Sequence, residues 1–167
     1  MKERAPRNKT LTLTDEERKS LQFRLLSAHQ VDDNALLFNK TIHGDTLALL
    51  SRLPAQLADL IIVDPPYNLS KNFNGLQFKA ITGSQYLEYL RSWFPHLCKL
   101  LKPSGSLYLC GDWKSTSALQ QVMEENLTVL NRITWQREKG RGASRNWKNG
   151  MEDIWFGVLD KDNYYFD

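Results

Sequence analysis

Apolar residues follow two rhythms along this chain. A continuous apolar run occurs at Asp59-Leu60-Ile61-Ile62-Val63, and stretches of strand length follow from Ser106 to Cys110, from Val129 to Trp135 and from Glu152 to Leu159. Runs of this kind suit strands buried on both faces of a parallel sheet. Between them, Leu87, Leu90, Phe94, Leu97 and Leu101, and then Leu119, Val122 and Met123, recur at the spacing of one helix face. Ser84 is placed to cap the first of these helices, Pro95 should kink or divide it, and Pro103 with Gly105 should end it; the second runs from Ser115 to Asn126. The order β-α-β-α-β, with one further strand, predicts an open α/β sheet with helices on its faces.

The segments before and within this alternation are less regular. Thr14 and Glu17 form a capping-box pattern that predicts a helix to about Ala28, so residues 1–35 read as a basic tail and accessory helix and residues 36–167 as the main portion. From Leu36 an apolar stretch through Ile42 leads to Gly44-Asp45, a helix from Thr46 to Arg52, and Pro54. Residues Asn68 to Gly83, rich in Asn and Gly with Phe73 and Phe78 among them, read as a long loop, and long loops in compact domains are often functional.

Composition narrows the class of molecule without naming it. A length of 167 residues suffices for one domain with a real core, and 41% hydrophobic with 25% charged residues is ordinary for a globular protein. The net charge of +3 is too small to announce a nucleic-acid partner, so the placement of the basic residues matters more than their sum. Cys98 and Cys110 have no close Cys or His companion, and His29, His43 and His96 show no ligand spacing, so neither a disulfide scaffold nor a metal site is expected. The run Leu60 to Val63 falls far short of the ~20 residues that span a bilayer, and no apolar signal segment follows Met1, which points to a cytoplasmic protein without a membrane partner.

Chemistry concentrates where the first buried run ends, at Asp64-Pro65-Pro66-Tyr67. Chance would place these four residues in order in roughly one of a thousand chains of this length, and in open α/β sheets ligands bind outside the carboxyl ends of the strands. The tetrapeptide, followed by Asn68-Leu69, resembles the catalytic motif of amino-methyltransferases that modify exocyclic amines of DNA bases. Gly44-Asp45 before a short helix, the turn Lys102-Pro103-Ser104-Gly105 before a strand, and Glu152-Asp153-Ile154-Trp155-Phe156 follow the order of the β class of that family. The resemblance covers roughly residues 38 to 167 and implies a Rossmann-like methyltransferase sheet, largely parallel with helices on both faces, that uses S-adenosylmethionine. Asp at position 64, where cytosine-N4 enzymes usually carry Ser, tilts it toward adenine-N6 in double-stranded DNA.

The residue types suit that reaction. An adenine amino group is a poor nucleophile whose lone pair is delocalised into the ring, so holding it in line with the methyl donor is most of the task. The Asp64 carboxylate and the Pro65 carbonyl are suited to accept the two amino hydrogens, the prolines fix a rigid turn, and Tyr67 offers a flat face to an extruded base. By resemblance Asp45 and Asp64 touch the cofactor, although Asp45 equally fits a helix N-cap. Trp113 and the pair Trp155-Phe156, Phe156 above all, are candidates for a second wall around the base, although aromatics in or beside strands are more often core. The loop from Gln136 to Gly150 holds Arg137, Lys139, Arg141, Arg145 and Lys148 against Glu138, with Trp147 among them, and is expected to meet the DNA backbone.

One expected part is absent. A β-class enzyme continues with a target-recognition region and a glycine-rich cofactor loop, and no glycine-rich strand-to-helix turn occurs in this sequence, so the fold is expected to be incomplete relative to the whole family fold. Three readings follow. The chain is a fragment, or one piece of a split enzyme whose second polypeptide supplies that loop; it methylates an RNA base or a protein amide instead, although such sites usually carry Asn in place of Asp64; or it is a nucleic-acid-binding protein with a dead catalytic motif.

Overall fold

A computed structural model describes residues 12–31, 37–73, 76–141, 145 and 147–166; the side chains of 71, 73, 76, 78 and 139–141 lie outside that description. The chain divides into two compact units, Met1–Leu53 and Pro54–Asp167, so the boundary lies inside the segment that the sequence assigns to the main portion.

In the first unit, helix α1 spans Asp15–Gln22 behind the capping box expected at Thr14: its hydroxyl accepts the Glu17 amide hydrogen at 3.1 Å while the Glu17 carboxylate accepts that of Thr14 at 2.8 Å. The helix stops well before Ala28. Leu25–Ser27 instead forms strand β1, which pairs in parallel with β2, Thr41–His43, and a 3-10 turn follows at Ala28–Gln30. No residue of α1 is buried, so tertiary packing gives this helix no reason to extend. Helix α2 is Thr46–Leu50, two residues shorter at its end than expected.

The second unit holds the alternation. Its strands are β3 (Ala58–Val63), the hairpin β4 (Lys71–Phe73) and β5 (Leu76–Phe78), β6 (Leu101–Gly111), β7 (Thr128–Arg141) and β8 (Asn149–Val158), with helices α3 (Gly83–Cys98) and α4 (Thr116–Glu124) between them. The main sheet has the order β3-β6-β8-β7. It is mixed: β3 and β6 are parallel as expected, whereas β8 runs antiparallel to both of its neighbours. The expected long loop from Asn68 to Gly83 contains the β4–β5 hairpin, whose strands are too short to show a period.

Helix α3 starts at Thr82 rather than Ser84, through a capping box with Gln85, and passes Pro95 without dividing. Pro95 lies in the last turn, where its missing N–H costs a single bond, and the buried side chains Leu90, Trp93, Phe94, Leu97 and Cys98 hold the helix to its end. The helices pack against each other, and α4 lies over β6, β7 and β8. Ile61, Leu107, Leu109, Trp155 and Gly157 stand in register on the covered face. Contact is closest at the glycines of this face, where a Cβ on Gly111 would lie 2.1 Å from Leu119 Cδ1 and one on Gly157 2.7 Å from Met123 Cε. The opposite face corrects the expectation of a doubly buried strand: Leu60 is 53% and Ile62 68% exposed. Part of it is covered by Tyr164 and Phe166, whose rings contact Phe156.

Candidate active site

Register brings the chemistry to one end of the sheet. Val63 pairs with Leu109 and Gly111 with Asp153, so the chain leaves β3 at Asp64 beside the ends of β6 and the early part of β8. Thr134 pairs with Asp153 in turn. Residues 135–141 of β7 and 149–152 of β8 therefore project past the sheet at the end where Asp64 emerges, by roughly 20 Å at ~3.3 Å per residue. The basic segment read as a loop is thus mostly the end of a hairpin. That geometry does place it on the edge from which the Asp64 to Tyr67 turn emerges.

Within the turn, the Asp64 side chain is exposed, Pro65 is buried and Tyr67 is half-buried. Two contacts hold it. The hydroxyl of Tyr86, a residue of α3 only 3% exposed, donates to the Pro66 carbonyl at 3.0 Å. The Leu69 amide donates to the Tyr67 carbonyl at 2.6 Å, closing a three-residue turn. Burial, followed by a hydrogen bond to the Asp64 carboxylate, raises the Tyr67 hydroxyl above its ordinary range, and the nearby Arg137 charge offsets this only in part. The Tyr67 hydroxyl therefore stays a donor at neutral pH, with the Asp64 carboxylate beside it as acceptor. A carboxylate has about four acceptor positions, so this bond leaves Asp64 free to accept more hydrogens.

Asn68 locks the exit from the turn. Its side-chain amide donates to the Ile81 carbonyl at 2.7 Å and accepts the Ile81 amide hydrogen at 2.8 Å, and Ser70 accepts from the Ala80 amide at 3.0 Å. The β4–β5 hairpin is therefore clasped at its base, next to the start of α3. Neither Tyr86 nor the side chain of Asn68 was assigned a part by sequence reasoning. The only available signal was a tyrosine one helical turn before Leu90 on the buried face of α3.

The other expected residues are placed as follows. Asp45 is the N-cap of α2 and accepts the Ala48 amide hydrogen at 2.9 Å, the role that competed with cofactor contact. Phe156 does not offer a free face: it is buried, stacked on Tyr108 with ring centroids 4.7 Å apart, and flanked by Tyr164 and Phe166. That corrects its assignment as a wall for the target base, because a hydrophobic strand position at the sheet centre is core. Trp113 is exposed. Arg137 forms an ion pair with Glu152 across the hairpin, whereas Arg145 and Lys148 are exposed and Trp147 is 96% exposed. For Lys139 and Arg141 the backbone lies in β7 and the side chains fall outside the described residues.

A cofactor cradle is a separate question, because a glycine serves a ligand only where its missing side chain leaves room. Gly44, Gly105, Gly111 and Gly157 are each filled by neighbouring side chains of the protein, and Gly83, with nothing within 4 Å of a built Cβ, opens helix α3 instead of ending a strand. None of these five glycines therefore leaves the room at a strand end that a cradle for S-adenosylmethionine needs. No group of His, Cys, Asp and Glu among them is assembled to hold a metal ion, and no described helix is long and apolar enough to cross a membrane.

An α/β sheet that delivers an Asp-Pro-Pro-Tyr turn from a strand end, with a basic hairpin on the same edge, places the chain among proteins of the amino-methyltransferase class. Residues 58–167 match the family described as DNA methylase, of the N6 and N4 amino type, and the chain belongs to that family. It is 33% identical over 126 residues to the DNA adenine methyltransferase YhdJ of Escherichia coli (strain K12), covering 75% of this chain and 42% of that protein. With the type II methyltransferase M.HpaI of Haemophilus parainfluenzae it shares 31% identity over 117 residues, 69% of this chain and 37% of that one. The chain thus spans less than half the length of these curated relatives. Among solved structures, the cytosine-N4-specific PvuII DNA methyltransferase has the same fold, with a TM-score of 0.59 at 16% identity over 73% of this chain and 49% of that one. The fold is therefore the Rossmann-like methyltransferase fold, in part.

Proposed function

We propose that this chain is the amine-holding portion of an S-adenosylmethionine-dependent DNA adenine-N6 methyltransferase that acts on double-stranded DNA in the cytoplasm. The observation that carries the reading is the Asp64 to Tyr67 turn, rigidly tied to α3 by Tyr86 at the carboxyl end of β3, in a member of the DNA methylase family. Asp64 and the Pro65 carbonyl accept the two hydrogens of the target amino group. The Pro66 carbonyl is already engaged by Tyr86, which leaves Pro65 as the acceptor of the pair. Fixing both hydrogens leaves the nitrogen's lone pair directed out of the turn, and the carboxylate stabilises the positive charge that develops on nitrogen as it is alkylated. Tyr67, its hydroxyl tethered to Asp64, presents its ring to the extruded base. The basic hairpin holds the DNA backbone through Lys139, Arg141, Arg145 and Lys148.

S-adenosylmethionine supplies the methyl group, and the residues present do not provide its cradle. The glycine-rich loop and the target-recognition region are supplied by residues outside these 167, in the same gene product or in a second polypeptide. The test is methyl incorporation from labelled S-adenosylmethionine into duplex DNA. Residues 1–167 alone should give negligible transfer, and transfer to adenine should appear when a polypeptide carrying the glycine-rich loop is added. Steady turnover by the chain alone would show that the missing half has been misjudged. Full activity of Asp64→Ala in the complemented enzyme would remove the mechanism.

A further inference from the structure

Beside the catalytic turn, the first turns of α3 and α4 open onto a common cavity of about 350 Å³. Its wall includes Gly83 and Ser84 from the start of α3, and Lys114, Ser115 and Ser117 from the start of α4. Among the described residues its lining holds one cation and no carboxylate. Because the first N–H groups of an α-helix have no intrahelical acceptor and carry partial positive charge, two helix starts around one space favour an anion in it. Gly83 leaves the approach to its helix open, with nothing within 4 Å of a built Cβ. Among the described residues Lys114 makes no ion pair, and its ammonium rests 5.8 Å from the centre of the Trp113 ring.

Ser115 adds an independent sign of a ligand. It stands at the N-cap of α4, where serine ordinarily accepts a hydrogen bond from the first turn. Its backbone is already helical there, at φ −93° and ψ −7°, and its hydroxyl makes no capping bond. The backbone is pinned from the other side by the Asp112 carboxylate, which accepts the Ser115 amide hydrogen at 3.0 Å. The residue is only 3% exposed, and its Oγ has no hydrogen-bond partner among the described residues. A buried hydroxyl in that state calls for an acceptor, and the cavity that Ser115 lines is the space for one.

We infer that the cavity is a phosphate site that takes a backbone phosphodiester of DNA beside the target nucleotide, with Lys114 as counter-charge and Ser115 and Ser117 as hydroxyl donors. Asn68 and Tyr86 line the same cavity and also hold the catalytic turn, so a phosphate seated here registers the strand against Asp64. This rests on the reading of the chain as a DNA-binding portion of a methyltransferase. Phosphate contacts of this kind position the duplex without reading its sequence.

The test uses the whole chain and two probes, inorganic phosphate and a short adenine-containing duplex, followed by amide NMR. Both probes should move the Gly83, Ser84 and Ser117 amides, with the duplex acting at far lower concentration. Lys114→Gln should lower the slope of log affinity against log salt by roughly 1, alike for all sequences. Ser115→Ala should weaken duplex binding while raising the melting temperature of the free chain, because it removes a buried hydroxyl that has no partner. A merely structural serine would not move those two readouts in opposite directions. Amides that stay still when the duplex is added, or an unchanged salt slope, would overturn the site. Phosphate binding as tight as duplex binding would overturn its assignment to DNA. Failure of the methyltransferase reading looks different: the duplex would still move these amides while no complemented enzyme methylated it.

Discussion

Asp64 and Tyr67 are joined by a hydrogen bond, so each substitution there reports on the other. In the complemented enzyme, Asp64→Ala should abolish transfer while DNA binding survives. Tyr67→Ala should cost the stacking of one base, roughly 1–3 kcal/mol, read as weaker binding of duplexes whose target base is already unpaired. Tyr86→Phe separates positioning from stability. Pro66 is exposed, so water replaces the lost donor and unfolding by urea should report less than about 1 kcal/mol. Transfer should fall by roughly ten- to a hundredfold, because a loosened turn no longer aims the amine. A proportionate loss of stability and activity would mean that Tyr86 only supports the fold.

The cysteines make a residue-scale prediction of their own. Burial pushes the Cys98 thiol from 9.0 up to about 12, and the half-exposed Cys110 is raised less strongly, by burial and by the Asp64 charge. A folded value above the unfolded one means that the stabilisation is complete below about pH 9 and is lost as pH rises from 9.0 toward 12. Stability to urea should therefore fall across that window, and Cys98→Ala should flatten the fall. Thiol reagents at pH 8 should label Cys110 first and reach Cys98 only on unfolding.

At the scale of elements, the β7–β8 hairpin carries the electrostatics. Arg137 is held by Glu152 at its base, which leaves the outer positions to meet phosphates. Replacing Arg141 and Arg145 with Gln should lower the salt slope by roughly 2, equally for every DNA sequence. An unchanged slope would mean that the hairpin faces elsewhere. Helix α4 gives a second element-scale test: Gly111→Ala would press on Leu119, which is fully buried, and should destabilise by about 1–3 kcal/mol in chemical denaturation.

These elements also show what a sequence can say. Leu119, Val122 and Met123 mark the buried face of α4 because packing against a sheet imposes a helical period, and the structure buries all three completely. The strand before Asp64 was legible as an apolar run of strand length cut off by two prolines, although the exposure of Leu60 and Ile62 on its open face was not. Pairing partners were not legible. Whether β8 runs parallel or antiparallel depends on a connection of basic residues with no apolar pattern, and the short β4 and β5 leave no period to read. Tyr86 escaped notice because its contact is with a carbonyl twenty positions earlier, and backbone acceptors leave no mark on residue types. The fold class and the tetrapeptide came from local chemistry; the supporting shell around them depends on tertiary geometry.

For the whole molecule the decisive feature is the open side of the sheet. Beyond β6, strand β3 bonds to no other strand of the described residues, and Leu60 and Ile62 stand exposed on the same strand. An unpaired edge next to exposed apolar side chains is prone to self-association. Sedimentation of the isolated chain should show concentration-dependent oligomers, and Leu60→Lys with Ile62→Lys should restore a monomer without changing the melting of α3 and α4. A chain that remains monomeric at high concentration would show that this side is already shielded.

The position of β8 has a consequence for synthesis on the ribosome. Strand β8 comes last in sequence but lies between β6 and β7, which do not pair with each other. Until Asn149–Val158 has emerged, β7 has no partner on which to lie. Nascent chains arrested before that point should carry α3 folded over β3 and β6 but a protease-sensitive β7, and protection should arrive in one step when the central strand is threaded between its neighbours. A ribosomal pause just upstream of Asn149 would thus hold the basic hairpin unformed, and with it the surface proposed to meet DNA.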